Sequence, residues 1–215
     1  MKKYSAVLII AGVLLIAIVA GVFLYRSRGN ADLVAQPPIE SSTPSVVTLE
    51  EFGDYQCPPC AQLHPALKEI KQQYGPSLNF VFRNLPLTIH KNALIAAQAA
   101  EAARVQNRFW EMHDLLYKNQ DLWKDDKDPK PRFVKFAGDL GLDTARFEQD
   151  LVSDQVRFRL QADLDAAARM GINGTPTIVI NGRQLKTEAT NADGIRKGIE
   201  VMISRQRQGT TAPSP

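Results

Sequence analysis

Two cysteines in 215 residues are too few for a framework of structural disulfides. They stand three positions apart, at Cys57 and Cys60, and can pair only with each other. Histidine is scarce too: His64, His90 and His113 are the whole complement, scattered along the chain, which argues against a four-ligand zinc site. Ala61 follows Cys60, so haem attachment through Cys-x-x-Cys-His is excluded. Aromatics make up 7%, and the formal net charge of +3 comes from 26 basic and 23 acidic residues intermixed. No basic tract interleaved with aromatics is present, so nucleic acid is not an expected partner. There are no internal repeats.

What is present is a chain that is 44% hydrophobic and 23% charged, enough for one folded domain with appendages. Residues 1–28 read as an N-terminal membrane anchor, since Tyr4 to Tyr25 is an uncharged stretch that would span ~33 Å as a helix, about the thickness of the bilayer core. The run exceeds a usual signal-peptide core and lacks a clean cleavage site, which favours an uncleaved anchor over a removed leader. Lys2 and Lys3 before it and Arg26 and Arg28 after it leave the orientation undecided by charge. Residues 29–44 (GNADLVAQPPIESSTP) read as a flexible linker, and 206–215 as a disordered tail.

Between them, 45–205 reads as an α/β domain. Val46–Phe52 is a strand candidate leading through Gly53–Gln56 into a helix from Pro58 to Tyr74, with Leu63, Leu67 and Ile70 on one face. Asn79–Arg83 is a second strand candidate. Residues of about 87–170 read as helices throughout, with His90 and His113 placed in them as capping or packing groups, and with Trp110 and Trp123 as core. Thr177–Ile180, the turn pair Asn181–Gly182 and Arg183–Lys186 read as a hairpin. A last helix, Ala192–Arg205, follows Asn191 as its cap. The order describes a sheet domain split by an all-helical insertion.

The chemistry concentrates at Cys57-Pro58-Pro59-Cys60. A cysteine at a helix start meets unpaired N–H groups and the positive end of the helix dipole, which stabilise a thiolate. Cys57 is therefore expected to be the exposed nucleophile, and Cys60, one turn in, the shielded thiol that resolves a mixed disulfide. The two prolines are tolerated because first-turn N–H groups lack intrahelical partners. His64, seven positions on, lies ~10 Å from Cys57 and is expected to be a surface or packing residue.

FGDYQCPPC, then FRNLPL, AAQAAEAA, FWEMHD and GTPTIVING occur in an order that resembles the DsbA-like thioredoxin-fold thiol:disulfide oxidoreductases, over about Val46–Arg205. The resemblance implies a thioredoxin fold with an inserted all-helical domain, preceded here by a single transmembrane helix. It implies a cis-proline loop in which Thr175 and Pro176 bind substrate beside Cys57. It also implies a buried acid beneath the pair, Glu51, that shuttles the Cys60 proton, with Glu50 and Asp54 as neighbouring competitors. Where DsbA-type sites carry histidine before the second cysteine this chain has Pro59, so a milder oxidant is expected, with a Cys57 thiolate between those of thioredoxin and DsbA.

The function implied is a protein thiol:disulfide oxidoreductase that introduces disulfides into exported proteins with thiols and is reoxidised by a quinone-linked membrane partner. No cofactor or metal is expected. The catalytic domain is expected to face the periplasm or extracytoplasmic space, where a lone disulfide survives. A monomer is expected, since no dimerisation module precedes residue 46, which ranks an isomerase below an oxidase; a reductase of the same fold is the other alternative. A Cu(I)-binding role remains a further alternative because thiolates are soft ligands. Against it, Met1, Met112, Met170 and Met202 are scattered.

Overall fold

The computed structural model describes residues 47–210. The anchor, the linker and residues 211–215 of the tail lie outside the described residues. Among the described residues no helix is long and apolar enough to cross a membrane.

Four strands form one sheet in the order β2-β1-β3-β4. β1 (Val47–Gly53) lies centrally, parallel to β2 (Leu78–Asn84) and antiparallel to β3 (Thr177–Ile180). β4 (Arg183–Gln184) pairs with β3 at the edge. Alternation along β1 sends Val47, Leu49 and Glu51 to one face and Thr48, Glu50 and Phe52 to the other. Val47 and Leu49 pack with Leu63, Leu67 and Ile70 of α1 (Pro58–Tyr74) and with Ile195 and Ile199 of α8 (Ala192–Thr210). Phe52 instead packs with Leu85, Ala167, Ile172 and Val179.

The insertion comprises α2 (Ala93–Val105), α3 (Phe109–Lys118), α4 (Gln120–Trp123), α5 (Lys130–Asp139), α6 (Thr144–Asp150) and α7 (Asp154–Arg169). Buried alanines of α2, from Ala93 through Ala103, let neighbouring helices close around it, with Phe109, Met112, Trp123, Phe133 and Phe147 filling the space. A buried polar cluster holds this block to the sheet. Asp163 of α7 accepts from the Asn84 backbone (3.0 Å) and side chain (3.1 Å), while Asn84 also donates to Glu101 of α2 (2.9 Å).

The hairpin turn expected at Asn181–Gly182 is present, with φ of 48° and 75°, the positive values a type I′ turn requires. β4 is shorter than expected because Leu185 leaves the strand to pack into the α1/α8 core and the chain turns through Thr187–Ala189. Asn191 caps α8, its Oδ1 accepting from Gly194 N at 3.0 Å. The helix runs to Thr210, five residues into the stretch read as tail, where Gln206, Arg207 and Gln208 are good helix formers. His90 is not in a helix. Its N–H closes a turn on the Leu87 carbonyl (3.0 Å) and α2 begins only at Ala93. Trp123 is core as expected, and Trp110 is half-buried with the Lys71 ammonium 3.5 Å above its ring.

Gly53, where β1 ends beneath the site, has no room for a side chain. A Cβ there would stand 2.5 Å from the Phe82 ring and 2.9 Å from the Tyr117 hydroxyl. Gly53→Ala is therefore expected to destabilise the domain by ~1–3 kcal/mol through overpacking, read as a lower urea midpoint. An unchanged midpoint would show that these rings have slack.

Candidate active site

Cys57 is the N-cap of α1, with extended backbone (φ −71°, ψ 119°), and Pro58 and Pro59 occupy the first turn. Its own N–H bonds to the Asp54 carbonyl (3.1 Å), and its carbonyl accepts from Ala61 N (3.2 Å). The turn before it is tied down by groups far away in sequence. Buried Gln120 donates through Nε2 to the carbonyls of Tyr55 (2.7 Å) and Cys57 (3.1 Å). The buried Asp54 carboxylate accepts from Gln56 N (2.7 Å) and Leu87 N (2.9 Å) and meets His90 Nδ1 at 2.7 Å. Gln56 Oε1 accepts from Asn92 N at 2.6 Å.

Both cysteines are free thiols in this structure. Cys60 is fully buried, as expected, and Cys57 is covered more than expected, at 4% exposed rather than open. The loop before β3 lies against it: Cys57 Sγ donates to the Thr175 carbonyl at 3.4 Å. The Thr175–Pro176 bond is cis, in agreement with the expectation from GTPT. The Thr175 hydroxyl is buried without a partner, so it is free to turn its proton toward a thiolate on Cys57.

The two sulfurs differ electrostatically. Cys57 is held down to about 6 by hydrogen bonding from the Cys60 thiol first, then from the Thr175 side chain and the Cys60 backbone N–H, against burial and the Asp54 charge. Cys60 is pushed far up by burial, by its bond to Cys57 and by Glu51. One sulfur is thus thiolate near neutral pH while the other keeps its proton.

Glu51 is fully buried, and neither carboxylate oxygen has a hydrogen-bond partner. Burial, reinforced by the Cys57 charge, raises it to about 8. Its competitors are otherwise engaged: Glu50 faces away and pairs with Arg83 at 3.0 Å, and Asp54 braces the loop. Glu51, Cys57, Cys60, Thr175 and Pro176, separated by up to 125 positions in the sequence, converge on one site. Gln120, Asn92 and the brace at Asp54 and His90 escaped sequence reasoning, because the insertion's fold alone brings them to the turn.

His64 packs as expected, half-buried against the Tyr117 and His113 rings at 5.0 Å, with Nε2 3.3 Å from Asp114. His64, His113 and Asp114 bring possible metal-ligating atoms within 4.8 Å of one another. Lys68 already pairs with Asp114, and the Tyr55 hydroxyl meets His113 Nδ1 at 3.0 Å, so the group is accounted for as packing.

A mixed sheet whose parallel β1–α1–β2 unit carries a dithiol at the helix N-terminus, with a cis-proline loop beside it and a helical insertion behind, defines a DsbA-like thioredoxin-fold thiol–disulfide oxidoreductase. A family model described as thioredoxin matches residues 41–200, and the chain belongs to that family. Among solved structures the fold is similar to oxidised BdbD from Bacillus subtilis (TM-score 0.67, 24% identity, 76% of this chain and 91% of that one). It is also similar to DsbA from Xylella fastidiosa (TM-score 0.66, 21% identity, 80% and 91%). MdbA, a thiol-disulfide oxidoreductase from Corynebacterium diphtheriae, matches with a TM-score of 0.62 at 19% identity (76% and 86%). Curated relatives carry another name: the chain is 38% identical over 174 residues to Na(+)/H(+) antiporter NhaA 3 of Salinispora tropica, covering 77% of this chain and 25% of that protein. With NhaA of Herminiimonas arsenicoxydans it is 32% identical over 192 residues, covering 86% and 29%. The chain therefore spans about a quarter of the length of these relatives.

The Cys57 thiolate is expected to titrate near pH 6 by ultraviolet absorbance. Cys60→Ala, which removes its first hydrogen-bond donor, should move that midpoint toward the ordinary thiol value of 9.0. A midpoint unmoved in this variant would assign the stabilisation to Thr175 and the helix dipole instead.

Glu51 carries a second expectation. Folded protein keeps a proton that unfolded chain releases between 4.5 and about 8, so Glu51 lowers the stability of the reduced protein as pH rises through that window. Glu51→Gln, which cannot ionise, should gain stability relative to the parent as pH climbs from 4.5 to 8, by up to a few kcal/mol. Parallel denaturation curves for the two proteins across that range would exclude a buried ionisable Glu51.

Proposed function

We propose that the protein is an oxidase that transfers its Cys57–Cys60 disulfide to thiol-bearing exported proteins. The observation carrying this reading is the divided pair, with Cys57 depressed to about 6 and Cys60 strongly raised. Stabilising the Cys57 thiolate stabilises the reduced state, which makes the disulfide oxidising.

In the forward reaction a client thiolate attacks Cys57 Sγ of the disulfide, and the Cys57–Cys60 bond breaks with the electron pair leaving on Cys60. Glu51, protonated near neutral pH, supplies the proton that the buried Cys60 thiolate needs, through any bridging water. A second client thiolate attacks the client sulfur of the mixed disulfide. The client leaves oxidised, and Cys57 departs as the favoured thiolate. Thr175, whose carbonyl lies 3.4 Å from this sulfur, and Pro176 are the residues we assign to meeting the client backbone. The reduced pair then returns two electrons to an acceptor, for which a quinone-linked membrane protein is our proposal.

The uncharged Tyr4–Tyr25 stretch supports a single-pass anchor, and the use of a lone disulfide as oxidant supports a domain in the extracytoplasmic space, since the cytosol would keep it reduced. The names of the curated relatives, antiporters that contain a matching stretch, fit a membrane setting. We place the poise between thioredoxin (~7) and DsbA (~3.5) in thiolate pKa, since Pro59 offers neither imidazole nor N–H to the sulfur.

Equilibration with glutathione buffers tests the direction: a midpoint more oxidising than thioredoxin's supports an oxidase, and one at or below it supports a reductase. Pro59→His should lower the Cys57 pKa and raise the potential together, about 30 mV for each tenfold change in the equilibrium constant. If the potential does not follow the pKa, groups outside the dipeptide set the poise. In cells, Cys60→Ala should accumulate covalent client complexes; their appearance in Cys57→Ala would reverse the roles of the two cysteines.

A further inference from the structure

The end of the domain opposite Cys57 carries a cleft of about 360 Å³ between β4 and α8. Its floor is apolar, formed by Leu185, Val201 and Met202 among others, and three cations, Arg183, Lys197 and Arg205, stand around it. No acidic residue lines it. The acids of α8 point their charge elsewhere: Asp193 pairs with Arg196 at 3.5 Å and Glu200 accepts from the Tyr74 hydroxyl at 2.7 Å. Val201 remains 40% exposed, an apolar side chain presented beside positive charge.

The position of the cleft bears on what fills it. β1 begins at Val47, and at that end Thr48 is joined to the hairpin turn: its N–H donates to Asn181 Oδ1 (2.7 Å) and its carbonyl accepts from Asn181 N (2.8 Å). Ile180 and Arg183, on either side of the turn, both line the cleft. The polypeptide from the N-terminus therefore joins the domain at the end where the cleft lies, while the other end of β1 leads into Cys57. From Tyr25 to Val47 are 21 intervening residues, a connection of at most about 76 Å if fully extended.

We propose that this cleft docks the domain on the bilayer by taking the headgroup and upper acyl chain of an anionic phospholipid. The cations would neutralise the phosphate and the apolar floor would cover the first methylenes, as basic–apolar surfaces do at anionic membranes. The domain would then sit with the N-terminal end of β1 toward the lipid and Cys57 directed away from it, toward soluble clients. The proposal rests on the reading of Tyr4–Tyr25 as an anchor, which brings this end near the bilayer.

The test uses the full chain carrying Val201→Trp, reconstituted into vesicles of brominated phosphatidylcholine alone or mixed equally with phosphatidylglycerol, with the parent chain as the background for Trp110 and Trp123. Flotation with the phosphatidylcholine vesicles checks the anchor by itself. Docking predicts bromine quenching of the new fluorophore only when phosphatidylglycerol is present, weakened by salt. Arg183→Glu with Lys197→Glu in the same chain should cut that quenching at least about tenfold, since each surface cation adds to the attraction of an anionic leaflet. Equal quenching in both lipids, quenching unaffected by the charge reversals, or none at all would overturn the proposal. A chain that fails to float on phosphatidylcholine removes the anchor reading, while quenching upon added phosphatidylglycerol vesicles would still support the cleft. Glutathione equilibration of the double variant, expected to match the parent, confirms that it folds.

Discussion

Everything the site does depends on holding the β1–α1 junction still. A helix start offers unpaired N–H groups to a sulfur only if the chain leading into it is fixed, and here that chain is a turn with few bonds of its own. The fixing is done from outside. The Asp54 carboxylate gathers Gln56 N, Leu87 N and His90 Nδ1, and Gln120 holds the carbonyls of Tyr55 and Cys57. Both braces are buried, where a broken hydrogen bond leaves an unsatisfied group at a penalty of roughly 1–3 kcal/mol. The helical insertion is thus more than an addition to the sheet, because through Gln120 and Asn92 it supplies part of the mould for the active-site turn.

Within that mould, two thiols one helical turn apart are driven to opposite behaviour by competing effects. Burial penalises the charge on both. At Cys57 three donors outweigh it; at Cys60 the bond to Cys57 and the nearby carboxyl add to it. Glu51 shares the predicament of Cys60, being wholly buried with no hydrogen-bond partner. Such a group is expensive for stability, and its persistence is best understood from chemistry: a carboxyl raised to about 8 can hold a proton for a thiol that is otherwise cut off from water. Stability and function pull in opposite directions at this one residue.

Much of this was legible in the chain. The helix from Pro58 to Tyr74 follows from its proline start and the spacing of Leu63, Leu67 and Ile70, and the hairpin from Asn181–Gly182, because both signals are local. The cysteine pair stands out by being the only one. Glu51 is singled out from Glu50 and Asp54 by the family resemblance, and strand alternation, which a shift of one residue would invert, could not have settled it alone. The covering of Cys57 by the Thr175 loop, the loop position of His90, and the partnership of Gln120 with the active-site turn depend on contacts between segments 36 to 118 positions apart. No periodicity or local motif encodes such pairings, so they appear only once the insertion has been packed.

The same strand that positions the chemistry also separates it from the point where the chain enters the domain. β1 spans seven residues, or about 23 Å at the usual rise. The cysteine helix departs from its C-terminal end, and the chain arrives at its N-terminal end beside the Asn181 turn. Parallel pairing with β2 forces α1 to cross back over the sheet, so the reactive helix start and the arrival point of the chain must occupy opposite ends of the domain. The Cys57 end of the sheet is thereby left clear of the chain that enters at the other end. This polarity follows from strand direction alone, before any surface residue is considered.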